Sequence, residues 1–163
     1  MPTDLTERKH WIRWVQASIT KYFSDLGIGL EMTFFMEGEP RTDRQTNPTI
    51  PDVIELRITG PDISEVSKNY FKLDVNVSIV VETIMDETDL YRHAVKLGLV
   101  ADKFQSINLF KYGTGPDDDD SNIGCISLDD TDRLEVRQLG QLDENKSVLF
   151  SVVEADYVGC FSF

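Results

Sequence analysis

This chain has few basic residues, few cysteines and no long apolar run. Lysine and arginine total 16 against 29 aspartates and glutamates, a formal net charge of −13. A nucleic-acid backbone is repelled by that balance, which argues against direct DNA or RNA binding. The acidic surplus serves solubility, and it also suits a surface past which nucleic acid slides without sticking. Cysteine occurs only at Cys125 and Cys160, outside any CxxC or Cys/His array, so no zinc centre or disulfide framework is expected. Both are expected to be small, reduced core residues. No segment approaches the roughly 18 consecutive apolar residues of a membrane-spanning helix, and we expect a soluble protein that enters no membrane. The opening MPTDLTERKHW lacks a basic segment followed by an apolar stretch, so a cytoplasmic origin is expected.

Catalytic signatures are missing as well: there is no GxSxG, HExxH or GxGxxG element. Residues 113–122, GTGPDDDDSN, invite comparison with phosphate- and calcium-binding loops. No lysine is there to meet a phosphate. An EF-hand register starting at Asp118 puts Ile123 where a glycine must turn the chain and Asp129 where a bidentate glutamate belongs. Asp117, Asp118, Asp119 and Asp120 are therefore expected at a solvated acidic hairpin tip, with Asp129, Asp130 and Asp132 in a second acidic turn. His10 and His93 belong to no ligand or triad pattern and are expected on helix surfaces. The expectation is a protein that is not an enzyme and uses no cofactor or metal.

What is present is a strand. Residues 70–82, YFKLDVNVSIVVE, place Phe71, Leu73, Val75, Val77, Ile79 and Val81 at every second position, and such alternation specifies a β-strand. The intervening Tyr70, Lys72, Asp74, Asn76, Ser78, Val80 and Glu82 are mostly polar, which implies an antiparallel sheet covered on one face. A slip of one residue would expose all the apolar side chains at roughly 1.5 kcal/mol or more each, so the strand fixes its own register. At about 3.4 Å per residue it spans about 40 Å, long enough to reach past its own domain to a neighbouring subunit.

Other elements follow in order. Residues 4–26 carry Ile12, Val15, Ile19, Tyr22 or Phe23, and Leu26 at helical spacing, with Asp4 and Glu7 as a cap and Gly27 placed to end the helix. Trp11 and Trp14 widen the apolar stripe, and they either join the core or meet another chain. Residues 30–35 read as a short strand. Residues 37–52, EGEPRTDRQTNPTIPD, combine three prolines with one aliphatic side chain and form a loop or arm, flexible or used in assembly, with Arg41 and Arg44 as its charged contacts. Residues 53–59 are a second strand ending in a Gly60-Pro61-Asp62 turn, paired with 70–82 as a long central hairpin with a bulge near 67–69. Leu90, Ala94, Leu97, Ala101 and Phe104 form one buried stripe of a second helix, capped by Asp86 or Thr88. Residues 107–112, 123–128, 134–139 and 147–153 are short antiparallel strands. The tail EADYVGCFSF puts Phe161 and Phe163 at an apolar end, docked on its own core or on a neighbour. A chain of 163 residues suits a single α+β domain. Its expected architecture is an antiparallel or mixed sheet with a long central hairpin, packed by an N-terminal helix and one mid-chain helix.

This order of elements, together with ITGPDISEVSKNYFKLDVNVSIVVE at residues 58–82, resembles the tail-terminator proteins of tailed bacteriophages, relatives in the head–tail neck. The resemblance implies a structural virion protein: a homo-oligomeric ring, a hexamer, that caps the viral tail tube, stops its polymerisation and joins it to the head connector. It implies a tail-tube protein and a connector or neck protein as partners, and genome DNA passing through the lumen without specific binding. Localisation would be the virion, after synthesis in the host cytoplasm. Contacts would then fall to Trp11, Trp14, Arg41, Arg44, Phe161, Phe163, the Asp117 to Asp120 tip, and Lys72, Asp74 and Asn76 facing a neighbour or the lumen. Two readings stand beside it: another neck or head-completion protein, and a soluble ligand-binding domain or enzyme, which needs a deep pocket of converging polar side chains.

Overall fold

A computed structural model describes residues 10–29, 32–38, 52–84, 91–111, 121–129, 134–142 and 145–162. The elements among them are α1 (Trp11–Gly29), β1 (Thr33–Met36), β2 (Asp52–Ser67), β3 (Tyr70–Ile84), α2 (Arg92–Asp102), β4 (Ile107–Lys111), β5 (Ser121–Leu128), β6 (Glu135–Leu142) and β7 (Asn145–Ser162). The strands form one sheet in the order β1-β2-β3-β7-β5-β4, and β6 also pairs with β7. Strand β1 runs parallel to β2 and the other pairings are antiparallel. The architecture is α+β with a mixed, mostly antiparallel sheet.

The ladder between β3 and β7 runs from Tyr70 opposite Ser162 to Ile84 opposite Val148. Its register follows from side-chain parity. Phe71, Val75, Val77 and Ile79 stand opposite Phe161, Tyr157, Ala155 and Val153, and all eight are buried. Opposed residues project from the same face, so a single register sends both apolar rows into one core. Ile54 and Leu56 of β2 extend that face. Helix α1 covers it with Trp14, Val15, Ile19 and Phe23, spaced at one, four and four residues. The Trp11 ring lies 4.2 Å from Phe71 and 5.8 Å from Phe161, centroid to centroid, and Phe23 lies 5.2 Å from Phe104.

Three of the polar side chains that this packing draws in find partners on neighbouring elements. Ser18, 3% exposed, donates its hydroxyl to the Trp14 carbonyl and accepts the Phe110 N–H at 2.9 Å, so α1 caps a donor of the β4 edge strand. Tyr22 and Tyr157 donate to the carbonyls of Lys103 and Gln105, at 2.8 and 3.0 Å, and hold the chain where it leaves α2. Burial pushes both phenols above their ordinary values; the charge of Asp102 adds to the effect on Tyr22.

Several elements depart from expectation, each for a physical reason. The Gly60-Pro61-Asp62 segment is no turn: β2 continues through it with a register shift between Thr59 and Asp62, a cis Gly60-Pro61 bond and Gly60 at φ +102°. Proline is tolerated there because β1 ends opposite Leu56, so among the described residues no strand needs the missing N–H. The chain reverses instead at Lys68 and Asn69, with Asn69 at φ +63°. Helix α1 runs past Gly27 to Gly29. Helix α2 buries Leu97 and Val100, with Phe104 just beyond it, and leaves Ala94 exposed. Leu90 and the expected caps Asp86 and Thr88 lie outside the described residues. The first short strand is Thr33–Met36 rather than 30–35.

The tail differs most. It is the second half of β7, which extends the expected 147–153 strand to Ser162. Gly159 interrupts its apolar alternation for a reason: a Cβ there would collide with the Cys125 carbonyl and the Ile126 Cα on β5. Cys125 is exposed and Cys160 partly exposed, so neither is the core residue expected. Both lie on the face opposite the core, where parity puts them. Gly159→Val should therefore force β5 off β7 and lower stability by roughly 2 kcal/mol or more, read as a fall in the urea midpoint.

Candidate functional site on the polar face of the sheet

The second face of the β3–β7 ladder is where the sequence-selected Lys72, Asp74 and Asn76 reside. Lys72 stands opposite Cys160, Asp74 opposite Val158, Asn76 opposite Asp156 and Ser78 opposite Glu154. Across the other edge of β3, Asp62 of β2 is opposite Asp74 and Thr59 is opposite Asn76. Glu135 of β6 is opposite Glu154. Strand pairing thus gathers Asp62, Asp74, Asp156, Glu154 and Glu135 into one acidic band. Toward the C-terminal end of β3 the same face is closed, with Val53, Glu55, Val80, Glu82 and Val148 buried.

Asn76 organises the band. Its Nδ2 donates to Glu154 Oε1 at 3.0 Å and to Asp156 Oδ1 at 2.8 Å. A neutral amide with two N–H groups holds two carboxylates side by side without cancelling their charge. Arg137 adds a cation at the rim, bonded to Glu154 and 3.5 Å from Glu135. The Asp129 N–H donates to the Asp156 carbonyl at 3.0 Å and brings a further carboxylate to the edge. Two open depressions of about 430 and 460 Å³ adjoin here. The first is lined by Asp62, Asp74 and Asp129, the second by Glu135 and Glu154, and Asn76 and Asp156 belong to both. Among the described residues no group of three or more His, Cys, Asp or Glu is placed to hold a metal ion. Such a band repels polyanions and attracts cationic surfaces.

A different polar cluster, missed by sequence reasoning, fastens α2 to the core side of the sheet. His93 Nδ1 lies 2.7 Å from Thr83 Oγ1, and His93 Nε2 lies 2.7 Å from Ser151 Oγ. Beside it, the buried Asp52 carboxylate binds Arg92 and lies 3.9 Å from Lys96, while Arg92 also donates to the Ile84 carbonyl at 3.1 Å. His93 is therefore no helix-surface histidine; both ring nitrogens are engaged by the sheet. Burial pulls its pKa below the ordinary value, and the charge of Asp52 partly opposes that. Thr83 and Ser151 are 0% exposed, so no substrate reaches the Ser151 hydroxyl and the Ser–His contact is a fastener. The signal was parity: Asp52, Thr83 and Ser151 are polar residues at inward-facing strand positions, and buried polar groups need partners.

The remaining candidates separate cleanly. Trp14 is 1% exposed, with Lys111 Nζ 5.5 Å over its ring, and Phe161 is 2% exposed. Both are core residues of their own chain, and their burial corrects their expected contact with another chain; Trp11, half-buried, rests on Phe71 and Phe161. Arg41 and Arg44, Asp117, Asp118, Asp119 and Asp120, and Phe163 lie outside the described residues, as does most of the 37–52 arm. No protein-family model matches the sequence, and no curated protein matches it.

Replacing Asn76 with Asp puts a third carboxylate against two others. Asn76→Asp should lower stability by roughly 1–3 kcal/mol at neutral pH, and the loss should shrink in high salt. Urea unfolding at two ionic strengths measures both. The fastener makes a pH prediction. Because the folded-state pKa of His93 lies below its ordinary 6.5, the unfolded chain takes up the proton first. The stability held by neutral His93 is complete above that value and is lost as pH falls from it through the folded value. His93→Gln should remove this step from the pH profile and cost roughly 1–3 kcal/mol at pH about 8.

Proposed function

We propose that this chain is a ring-forming structural protein of a phage head–tail neck, of the tail-terminator kind, acting through its surfaces rather than by catalysis. The observation that carries the reading is the acidic band around Asn76, which β2, β3 and β7 spread over a part of the sheet face left open among the described residues. A channel wall that conducts a polyanion must not bind it, and carboxylates from Asp62, Asp74, Asp156 and Glu154 supply that property together with the net charge of −13.

Ring closure is supported by the outer edge of β2. Strand β1 pairs with β2 only as far as Leu56, and from Arg57 to Ser67 no strand pairs that edge among the described residues. An open edge adds a strand from another chain, and repeated head-to-tail contacts whose rotation closes generate a ring. Gln16 donates to the Gly60 carbonyl at 2.9 Å and blocks part of the edge, which leaves the segment nearest the hairpin turn. Val66, 54% exposed, lies there and would be shielded by a neighbour. In this reading the 37–52 arm, with Arg41 and Arg44, meets the tail tube or the connector, and the single domain is repeated around the lumen.

Light scattering and native mass spectrometry of the purified protein should give one closed oligomer that fails to retain double-stranded DNA at physiological salt. The double variant Asp74→Lys, Asp156→Lys should keep the oligomer and gain DNA retention. Particles made without the protein should carry overlong tails. Normal tails on unjoined heads would indicate another neck protein instead. A stable monomer at high concentration, with no affinity for tail-tube or connector proteins, would falsify the proposal, and a monomer that holds a metabolite through dialysis would favour a ligand-binding domain.

A further inference from the structure

Strands β5 and β7 are antiparallel neighbours, and their ladder places Cys125 directly opposite Cys160. Opposed residues project from the same face. That face is the one bearing Lys72, which stands opposite Cys160 across the β3 side of β7. Directly opposed Cα atoms in antiparallel ladders lie about 4.5–5.5 Å apart, within the roughly 4.4–6.8 Å that a disulfide spans. Both cysteines are free thiols, one exposed and one partly exposed.

Two further features converge on this pair. Each cysteine adjoins a glycine, Gly124 before Cys125 and Gly159 before Cys160. A Cβ on Gly124 would collide with the Cys160 carbonyl, and one on Gly159 with the Cys125 carbonyl. The two backbones are therefore closely packed beside the opposed cysteines. The Tyr70 phenol hydrogen-bonds to Cys160, a contact that also pushes the phenol above its ordinary pKa. An open depression of about 480 Å³, lined by Tyr70, Asn108, Asn122, Cys125, Ser127 and Cys160 among others, gives small molecules access.

We propose that Cys125 and Cys160 form a thiol–disulfide exchange site whose substrate is a low-molecular-weight disulfide such as glutathione disulfide. The more exposed Cys125, as thiolate, attacks one sulfur of the small disulfide; its S–S bond breaks and one small thiolate leaves. The Cys160 thiolate then attacks the Cys125 sulfur, forming the Cys125–Cys160 bond and expelling the second small thiolate. The two protons given up by the cysteines end on the small thiols. The protein dithiol is oxidised by two electrons, and the small disulfide is reduced to two thiols. Closing this bond bolts β5, and β4 behind it, to β7. The site stands independently of the neck assignment.

The full-length chain, reduced and freed of reductant, is incubated with glutathione disulfide under native conditions. Intact mass should fall by two hydrogens with no glutathione retained, and peptide mapping should find Cys125 joined to Cys160. Thermal stability should rise, and dithiothreitol should reverse every change. Cys125→Ser and Cys160→Ser should each keep glutathione as a persistent mixed disulfide, with unchanged circular dichroism. Glutathione held on both cysteines of the unaltered protein, a bond between two chains, or reaction only after unfolding in urea would each overturn the proposal.

Discussion

The pairing of β3 with β7 is the constraint on which the rest of the molecule depends. Side chains alternate between faces with a period of two, so one choice of register decides both surfaces at once. The register that seats Phe71 against Phe161 and Ile79 against Val153 in the core necessarily brings Asn76 to Asp156 and Ser78 to Glu154 on the other side. The separate β5–β7 register sets Cys160 opposite Cys125 on the next strand. Core packing supplies the energy, at roughly 1.5–3 kcal/mol for each fully buried aliphatic side chain, and the polar face is held in place by that energy rather than by its own contacts.

The two polar clusters show what that support permits. Around His93, polar atoms are enclosed, where a lost partner costs roughly 1–3 kcal/mol, and Thr83, Ser151, Asp52, Arg92 and Lys96 make the contacts that lock α2 in place. Around Asn76, carboxylates from different strands sit together in partial contact with water, where repulsion is screened and tolerated. The first cluster is a structural fastener. The second retains its charge and is the part of the sheet suited to meeting something outside the chain.

Much of this was legible in the residues. Strand β3 announced itself through six alternating apolar side chains, and the first residues of β2, the body of α1 and the existence of α2 followed from the same kind of periodicity. The extent of β7 was hidden because Gly159 occupies an apolar position, and its role is visible only once β5 lies against it. Gly60-Pro61 has the local chemistry of a turn; that β2 passes through it depends on β1 ending at Leu56, a fact of tertiary structure. Large aromatics such as Trp14 and Phe161 serve both cores and interfaces, and burial alone separates the two uses. Asn76 was visible as a polar residue on the right face, but its carboxylate partners, at positions 154 and 156, come from a strand far along the chain.

The central claim is that the face bearing Asp74, Asn76 and Asp156 turns toward an enclosed space formed by copies of this chain. Electron cryomicroscopy of the isolated assembly tests it most directly. The account predicts a closed ring in which that face lines the central opening and the outer edge of β2 lies at the subunit boundary. Particles with no ring, or a ring whose β3–β7 polar face points outward, would contradict it.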